Sequence, residues 1–465
     1  MKNIKNFFNY ALGDLFVKGI LFISLPLLTR VMSPEQYGKL SILNTAILIL
    51  YVLTSLNLQS AILNRYMKDK NGFSIYLSTC VIFLIPFHIL LLLLTPIYAA
   101  PLSELLGFSP ADFNFVLIIC IMLSYIFIYT SYLQGAEKGA EYAKINVINK
   151  IGELALIFIF ALYLSSDQYL SKIYAQLIIT VPLLIYSFYK LRRFMVLRFN
   201  MDELKSALLF SVPLIIHVLS NSLLSQVDRI IINNTLGSGS AGIYSFSYNL
   251  GMCVIVLIMA WNSSWQPKLY QLINDRDSES IKKIQQASTL IFFIITSSCI
   301  LFSKEMVLIM SSEEYYSGIY IVPLIIMGNA LIHIYLMYVN FVFFEKKTLL
   351  ISATTFIALA VNIAANYVLI PLYGIMGSAI ATVIAYLFLC ICHFISAKYI
   401  ISLFDSSLIN IKILFLFFAG MLIAYSLSLI LDDLEWYKAL IIKVMCVSLM
   451  CFYIIWNKTY KDLVA

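Results

Sequence analysis

The sequence predicts an all-α polytopic membrane protein of about fourteen transmembrane helices. Three observations predict it. Apolar residues fill 62% of the 465 positions and charged residues only 12%, at a mean hydropathy of +0.92, far from the usage of soluble domains. Apolar windows of about 20 residues, the helical length that crosses a hydrocarbon core of ~30 Å, recur from end to end. The basic residues alternate between successive connections, as they do when cytoplasmic loops retain Lys and Arg. No polar stretch is long enough to fold as a soluble domain outside the bilayer.

The spans follow in order. Lys2 and Lys5 precede the first apolar run, and no small-residue cleavage site appears before Arg30, so residues 10–32 read as an uncleaved first span. Further spans are expected at 40–63, 74–98 and 113–134. Residues 143–190 divide into 143–164 and 168–190 only because Ser165, Ser166, Asp167 and Gln168 interrupt them. The remaining windows are 206–232, 241–265, 284–303, 319–343, 349–370, 376–399, 412–431 and 438–456. Pro26 and Pro213 lie inside the first and seventh spans, where a missing backbone N–H kinks a helix unless neighbours compensate.

Taking alternate connections from the N-terminus, one side collects 22 of the 31 basic residues, including the cluster from Lys190 to Lys205. The other side holds Arg30, Lys39, Lys172, Lys304 and Lys438, and Lys18, Lys150, Arg229 and Lys443 fall within spans. Both termini are therefore expected in the cytoplasm. The net charge of +7 follows from this bias, and no basic patch interleaved with aromatics points to nucleic acid.

An internal repeat is expected. Met32-Ser-Pro-Glu-Gln-Tyr-Gly-Lys-Leu-Ser41 resembles Leu236-Gly-Ser-Gly-Ser-Ala-Gly-Ile-Tyr-Ser245, which sets Gly38 opposite Gly242 at an offset of 204 residues. Such an offset covers six spans and predicts two six-helix lobes, 1–200 and 201–400, followed by two additional helices in 401–465.

Ionisable groups at the bilayer centre cost about 2.5–3.5 kcal/mol each on insertion scales, so each needs a partner or water. Asp14 and Lys18 stand four apart on the first span. Asn146, Asn149, Lys150 and Glu153 share one face of the fifth, and His217, Asn221, Ser225 and Asp228 one face of the seventh, with Arg229 beside it. Asn329, His333 and Asn340 form a stripe on the tenth, and Ser352, Thr355, Asn362 and Asn366 on the eleventh. Such stripes serve either as hydrogen-bonding glue between helices or as the lining of a water-filled cavity. Lys18, Arg30, Lys150 and Arg229 are the candidate cationic surface for a phosphate-bearing substrate. Asp14, Glu153 and Asp228 are the candidate counter-ions or proton carriers; Asn146, His217, Asn221, Asn329, His333, Asn362 and Asn366 are the candidate polar lining. His88 and His393, alone in apolar runs, are expected to bond a neighbouring carbonyl. The eight cysteines all lie in apolar runs and read as packing residues. Cys390, Cys392 and His393 diverge around a helix, so neither a metal site nor a cofactor is expected.

Three segments carry a resemblance. They are Leu28-Thr-Arg-Val-Met-Ser-Pro-Glu-Gln-Tyr-Gly38; Phe210-Ser-Val-Pro213 with Val227-Asp-Arg229 and Ala241-Gly-Ile-Tyr244; and Asn362 and Asn366 leading into Leu369-Ile-Pro-Leu-Tyr-Gly-Ile-Met-Gly-Ser-Ala-Ile-Ala-Thr382. Together with the span count, the chain resembles the polysaccharide flippases, the O-antigen and capsule-type transporters of the multidrug/oligosaccharidyl-lipid/polysaccharide exporter superfamily. The resemblance implies a two-lobed bundle whose central cavity opens alternately to each side. It also implies a substrate, undecaprenyl-pyrophosphate-linked oligosaccharide, flipped from the cytoplasmic to the outer leaflet, with membrane lipids around it and a polysaccharide polymerase and chain-length regulator as partners. By motif it carries over only Arg30, Asp228 and Arg229. A cation-coupled multidrug antiporter on the same fold is the runner-up, disfavoured because buried bases are as numerous as buried acids. An exporter of another lipid-linked cell-wall precursor stays open. An enzyme such as a membrane glycan polymerase should show a large outer loop with paired basic residues, which this sequence lacks.

Overall fold

The computed structural model describes Gly19, residues 22–401, Leu408 and residues 411–456. Every regular element among them is helical, and thirteen helices are long and apolar enough to cross a membrane. A shorter apolar helix, α1 (Phe22–Val31), lies in the first expected span. The all-α polytopic fold expected from hydropathy is the fold observed. Asp14 and Lys18 lie outside the described residues.

The chain divides into two compact units, Met1–Gly242 and Ile243–Ala465. In the first, α2 (Pro34–Ser55), α3 (Leu58–Lys68), α4 (Phe73–Leu106) and α7 (Ser171–Leu191) surround α5 (Pro110–Gly135), while α6 (Gly139–Tyr163) packs mainly on α7. α8 (Met201–Leu224) and α9 (Val227–Leu236) lie against α2 and α4. Two of these helices begin on the same device. Ser33 and Ser109 stand just before Pro34 and Pro110, and their hydroxyls accept from the Gln36 and Asp112 amides at 3.4 and 3.1 Å. Proline at a first helical position gives up an N–H that has no intrahelical partner, and the serine satisfies one of the others. The expected division at 164–168 is observed: α6 ends at Tyr163, and Gln168 turns its amide back onto the Ala161 and Val31 carbonyls at 2.9 and 3.0 Å.

Three expected spans are each built from two helices. The second breaks at Leu56 and Asn57, both with positive φ (47° and 53°). Asparagine tolerates that conformation because its side chain bonds locally, and here Asn57 Oδ1 accepts from Gln59 and Ser60, both at 2.9 Å. His88 of α4 bridges this break to α5, with Nε2 3.0 Å from the Thr54 carbonyl and Nδ1 2.9 Å from the Tyr125 hydroxyl. That is the carbonyl contact expected for His88. The seventh span breaks at Ser225–Gln226 into α8 and α9. α4 also runs past its expected end at residue 98 to Leu106, where Asn234 of α9 donates to the Leu105 carbonyl at 2.8 Å.

In the second unit α14 (Val322–Phe344) is the central helix, packed by α11 (Cys253–Asn274), α12 (Ser278–Leu301) and α16 (Ile375–Ile401). The eighth span breaks at Met252 between α10 (Ser238–Gly251) and α11, and Asn329 of α14 donates to the Gly251 carbonyl at 3.1 Å. α15 (Thr348–Tyr373) meets α16 at Gly374, with φ +60°, and Gly377, where a Cβ would strike the Leu369 backbone. Only glycine fits at both, which is the physical content of the Pro-Leu-Tyr-Gly-Ile-Met-Gly segment. His393 departs from expectation: it is buried, packs on Tyr335 at 5.1 Å, and neither ring nitrogen has a hydrogen-bond partner among the described residues.

The last two helices, α17 (Ile411–Asp432) and α18 (Trp436–Trp456), dock on α12. A short helix, α13 (Ser303–Met310), supplies their polar anchor. Lys443 of α18 is fully buried and donates to Glu305 at 2.9 and 3.0 Å and to Asp432 at 2.8 Å, while Lys304 takes the Asp432 carbonyl at 2.8 Å. Lys304, expected in a connection, is thus part of the docking contact.

Candidate functional site

A cluster of three ionisable residues lies inside the first unit, on α6 and α7. The buried stripe of α6 reads Ile145, Asn149, Glu153, Ile157, Ala161, a four-residue repeat that lays one face of the helix against α7. Glu153 is therefore carried into apolar surroundings by its neighbours in the stripe. Gly152 brings the two helices close, with the Ile179 side chain 2.7 Å from where a Cβ would stand.

The Glu153 carboxylate is shared. Its Oε1 pairs with Lys172, in the first turn of α7, and its Oε2 lies 3.3 Å from Lys150, three residues earlier on α6. Lys172 and Glu153 are buried, whereas the Lys150 side chain is 44% exposed. Two ammonium groups on one carboxylate leave a formal charge of +1. One turn before Glu153, the buried Asn149 Oδ1 has no hydrogen-bond partner among the described residues.

Lys172 was missed by sequence reasoning, which placed it in an outer connection. The overlooked signal is its spacing: Lys172, Gln176 and Thr180 recur every four residues on an otherwise apolar helix, and all three are buried.

Apart from Asn146, which α6 also carries, the other described candidates are on other elements. Asp228 and Arg229 are buried in the first turn of α9, where Arg229 Nη1 donates to the Ser225 carbonyl at the helix break at 3.3 Å. Arg30 is exposed near the end of α1. Asn146 is half-buried on α6; on α8 His217 is half-buried and Asn221 exposed. In the second unit, Asn329 holds the α10–α11 break and His333 lies 3.4 Å from the Thr289 hydroxyl. Asn366 donates to the Asn362 carbonyl at 2.9 Å and to its side-chain oxygen at 3.2 Å. Three of the polar residues that the sequence marks out thus bond backbone carbonyls at helix breaks: His88, Arg229 and Asn329.

Chemically, the α6–α7 cluster offers a half-exposed ammonium whose counter-ion is already neutralised by a second lysine. An anion can take Lys150 without leaving an uncompensated carboxylate behind.

Residues 4–273 match the family model described as polysaccharide biosynthesis protein. The chain is 24% identical over 395 residues to a Haemophilus influenzae protein named Lsg locus putative protein 1, across 81% of this chain and 96% of that one. It is 20% identical over 380 residues to a Haloferax volcanii protein named a probable low-salt glycan biosynthesis flippase, across 81% of this chain and 79% of the relative. Among solved structures, one described as the lipid II flippase MurJ in an inward closed conformation matches with a TM-score of 0.72 over 98% of this chain and 99% of that one, at 16% identity. At that identity the likeness is one of fold.

Proposed function

Because this chain belongs to the polysaccharide biosynthesis protein family, we propose that it is a flippase for undecaprenyl-pyrophosphate-linked oligosaccharide, an O-antigen or capsule repeat unit. Transport runs from the cytoplasmic to the outer leaflet of a bacterial inner membrane by alternating access, with both termini in the cytoplasm and delivery to a polymerase and its chain-length regulator. The chain works as two six-helix lobes, 1–200 and 201–400, with two helices added in 401–465.

The observation that carries this reading is the α6–α7 cluster, a net positive charge held among apolar helices with Lys150 half-exposed. A diphosphate entering apolar surroundings needs cationic donors, and charge-assisted bonds to phosphate oxygens are about twice as strong as neutral ones. Lys150 is the proposed phosphate contact, with Lys18, Arg30 and Arg229 as further cationic positions and Asp14, Glu153 and Asp228 as counter-ions. Asn146, His217, Asn221, Asn329, His333, Asn362 and Asn366 are the proposed polar lining. A net cation repels cationic drugs, which sets this reading above a multidrug antiporter. The name of the Haloferax relative, a probable glycan biosynthesis flippase, agrees with this reading.

The test is surface polysaccharide in a strain lacking its own O-antigen-type flippase. Restoration by the parent and loss in Lys150→Gln at equal membrane abundance is the expected result. Raised resistance to a cationic dye without restored polysaccharide would replace this reading with the antiporter.

A further inference from the structure

We propose that Glu153 is a shared counter-ion that releases Lys150, and not Lys172, to a diphosphate, so that the cluster works as an exchange site. The inference rests on the lipid-linked substrate reading above and assigns each of the three residues its part.

The asymmetry of the two lysines carries it. Both face the same carboxylate, one on each oxygen. Lys172 is almost wholly buried, so separating it from Glu153 would strand two charges in apolar surroundings. Lys150 is 44% exposed and lies 3.3 Å from Oε2, with a flexible four-carbon stem that can swing away. When it leaves, Glu153 and Lys172 remain as a neutral pair, and nothing buried is left uncompensated. Lys150 is thus the group that touches the anion, and Lys172 is a positioning residue that lets Glu153 give it up. Without a returning carboxylate, a diphosphate held by Lys150 would be slow to leave. Glu153 therefore competes with the substrate and sets its release.

This arrangement predicts changes of opposite sign from neighbouring substitutions. Glu153→Gln removes the competitor and is expected to tighten diphosphate binding by about tenfold, a change of ~1.4 kcal/mol, while slowing turnover. Lys172→Gln leaves Lys150 as the sole partner of Glu153 and is expected to weaken binding by a similar factor. Lys150→Gln abolishes the diphosphate-dependent part. The double variant Glu153→Gln/Lys172→Gln has no buried charge left in the cluster, so it keeps the test open if Lys172→Gln alone misfolds; it is expected to bind as tightly as Glu153→Gln.

The experiment measures binding of two probes, inorganic pyrophosphate and a short-chain prenyl diphosphate, to the full chain in lipid nanodiscs. Opposite shifts for Glu153→Gln and Lys172→Gln on prenyl diphosphate support the exchange. The same shifts on pyrophosphate assign the site to the phosphates alone, whereas no pyrophosphate binding by the parent assigns it to the lipid-borne headgroup. If the parent binds prenyl diphosphate and all four variants bind it alike, or if Glu153→Gln weakens it, the exchange is overturned and the substrate reading stands. If the parent binds neither probe, both fall together.

Discussion

Gly38 and Gly242 pack backbone against backbone. A Cβ on Gly38 would strike the Ser238 carbonyl and stand 2.9 Å from the Gly242 nitrogen; a Cβ on Gly242 would strike the Pro34 carbonyl and stand 3.0 Å from the Gly38 nitrogen. The contact is reciprocal, each residue meeting the other's helix start. These are the two glycines that the 204-residue offset sets opposite one another in the sequence.

Backbone atoms cannot rotate out of the way as a side chain can. Gly38→Ala is therefore expected to cost about 1–3 kcal/mol, the range for overpacking. Gly239→Ala, where a Cβ meets nothing within 4 Å, is the control. Thermal unfolding in detergent should place Gly38→Ala below the parent and Gly239→Ala beside it; equal midpoints would refute the close contact.

Lys443 holds α18 to α13 and α17 through two carboxylates. Removing one partner of a buried ion pair costs about 3–5 kcal/mol because the other charge stays uncompensated, and with Glu305 and Asp432 partly exposed the loss here is expected toward the low end of that range. Lys443→Met should therefore unfold well below the parent, and the added Glu305→Gln should recover part of the loss. A single variant as stable as the parent would show that packing alone docks the last two helices.

His88 joins the Thr54 carbonyl to the Tyr125 hydroxyl across the break between α2 and α3. His88→Leu keeps the bulk and strands both groups, at about 1–3 kcal/mol for a buried polar group left unpaired. Hydrogen exchange should rise at residues 54–60 and not across α5. Unchanged exchange at the break would assign the histidine to packing.

At the α15–α16 corner, Gly377→Val places branched carbons against the Leu369 backbone. Loss of folded protein from the membrane is expected, whereas Gly239→Ala should express at parental levels. Normal abundance of Gly377→Val would mean that the corner can open.

How much of this was legible beforehand depends on what each feature answers to. The windows expected at 412–431 and 349–370 reappear as Ile411–Asp432 and Thr348–Tyr373, because bilayer thickness dictates how long an apolar run must be, and that length is local information. Lys150 and Glu153 were legible for the same reason: three residues apart on one helix, they meet by helical geometry alone.

By itself, then, the sequence determined the fold class, the approximate placement of the apolar spans, and which intramembrane residues are polar. Only the tertiary structure decided where spans break and what the polar residues touch. Leu56 and Gln226 have no glycine or proline beside them, and neither Asn57 nor the Gly251 before Met252 stands out among the other polar and small residues of the spans as a place where a helix breaks. A carbonyl freed in apolar surroundings has to find a donor, and for Thr54 and Gly251 that donor comes from a helix distant in sequence, at His88 and Asn329. Lys172 joins Glu153 in the same way, across a helix pair whose register the chain alone does not state. Hydropathy is a property of neighbours along the chain, whereas satisfying a buried charge or carbonyl is a property of neighbours in space.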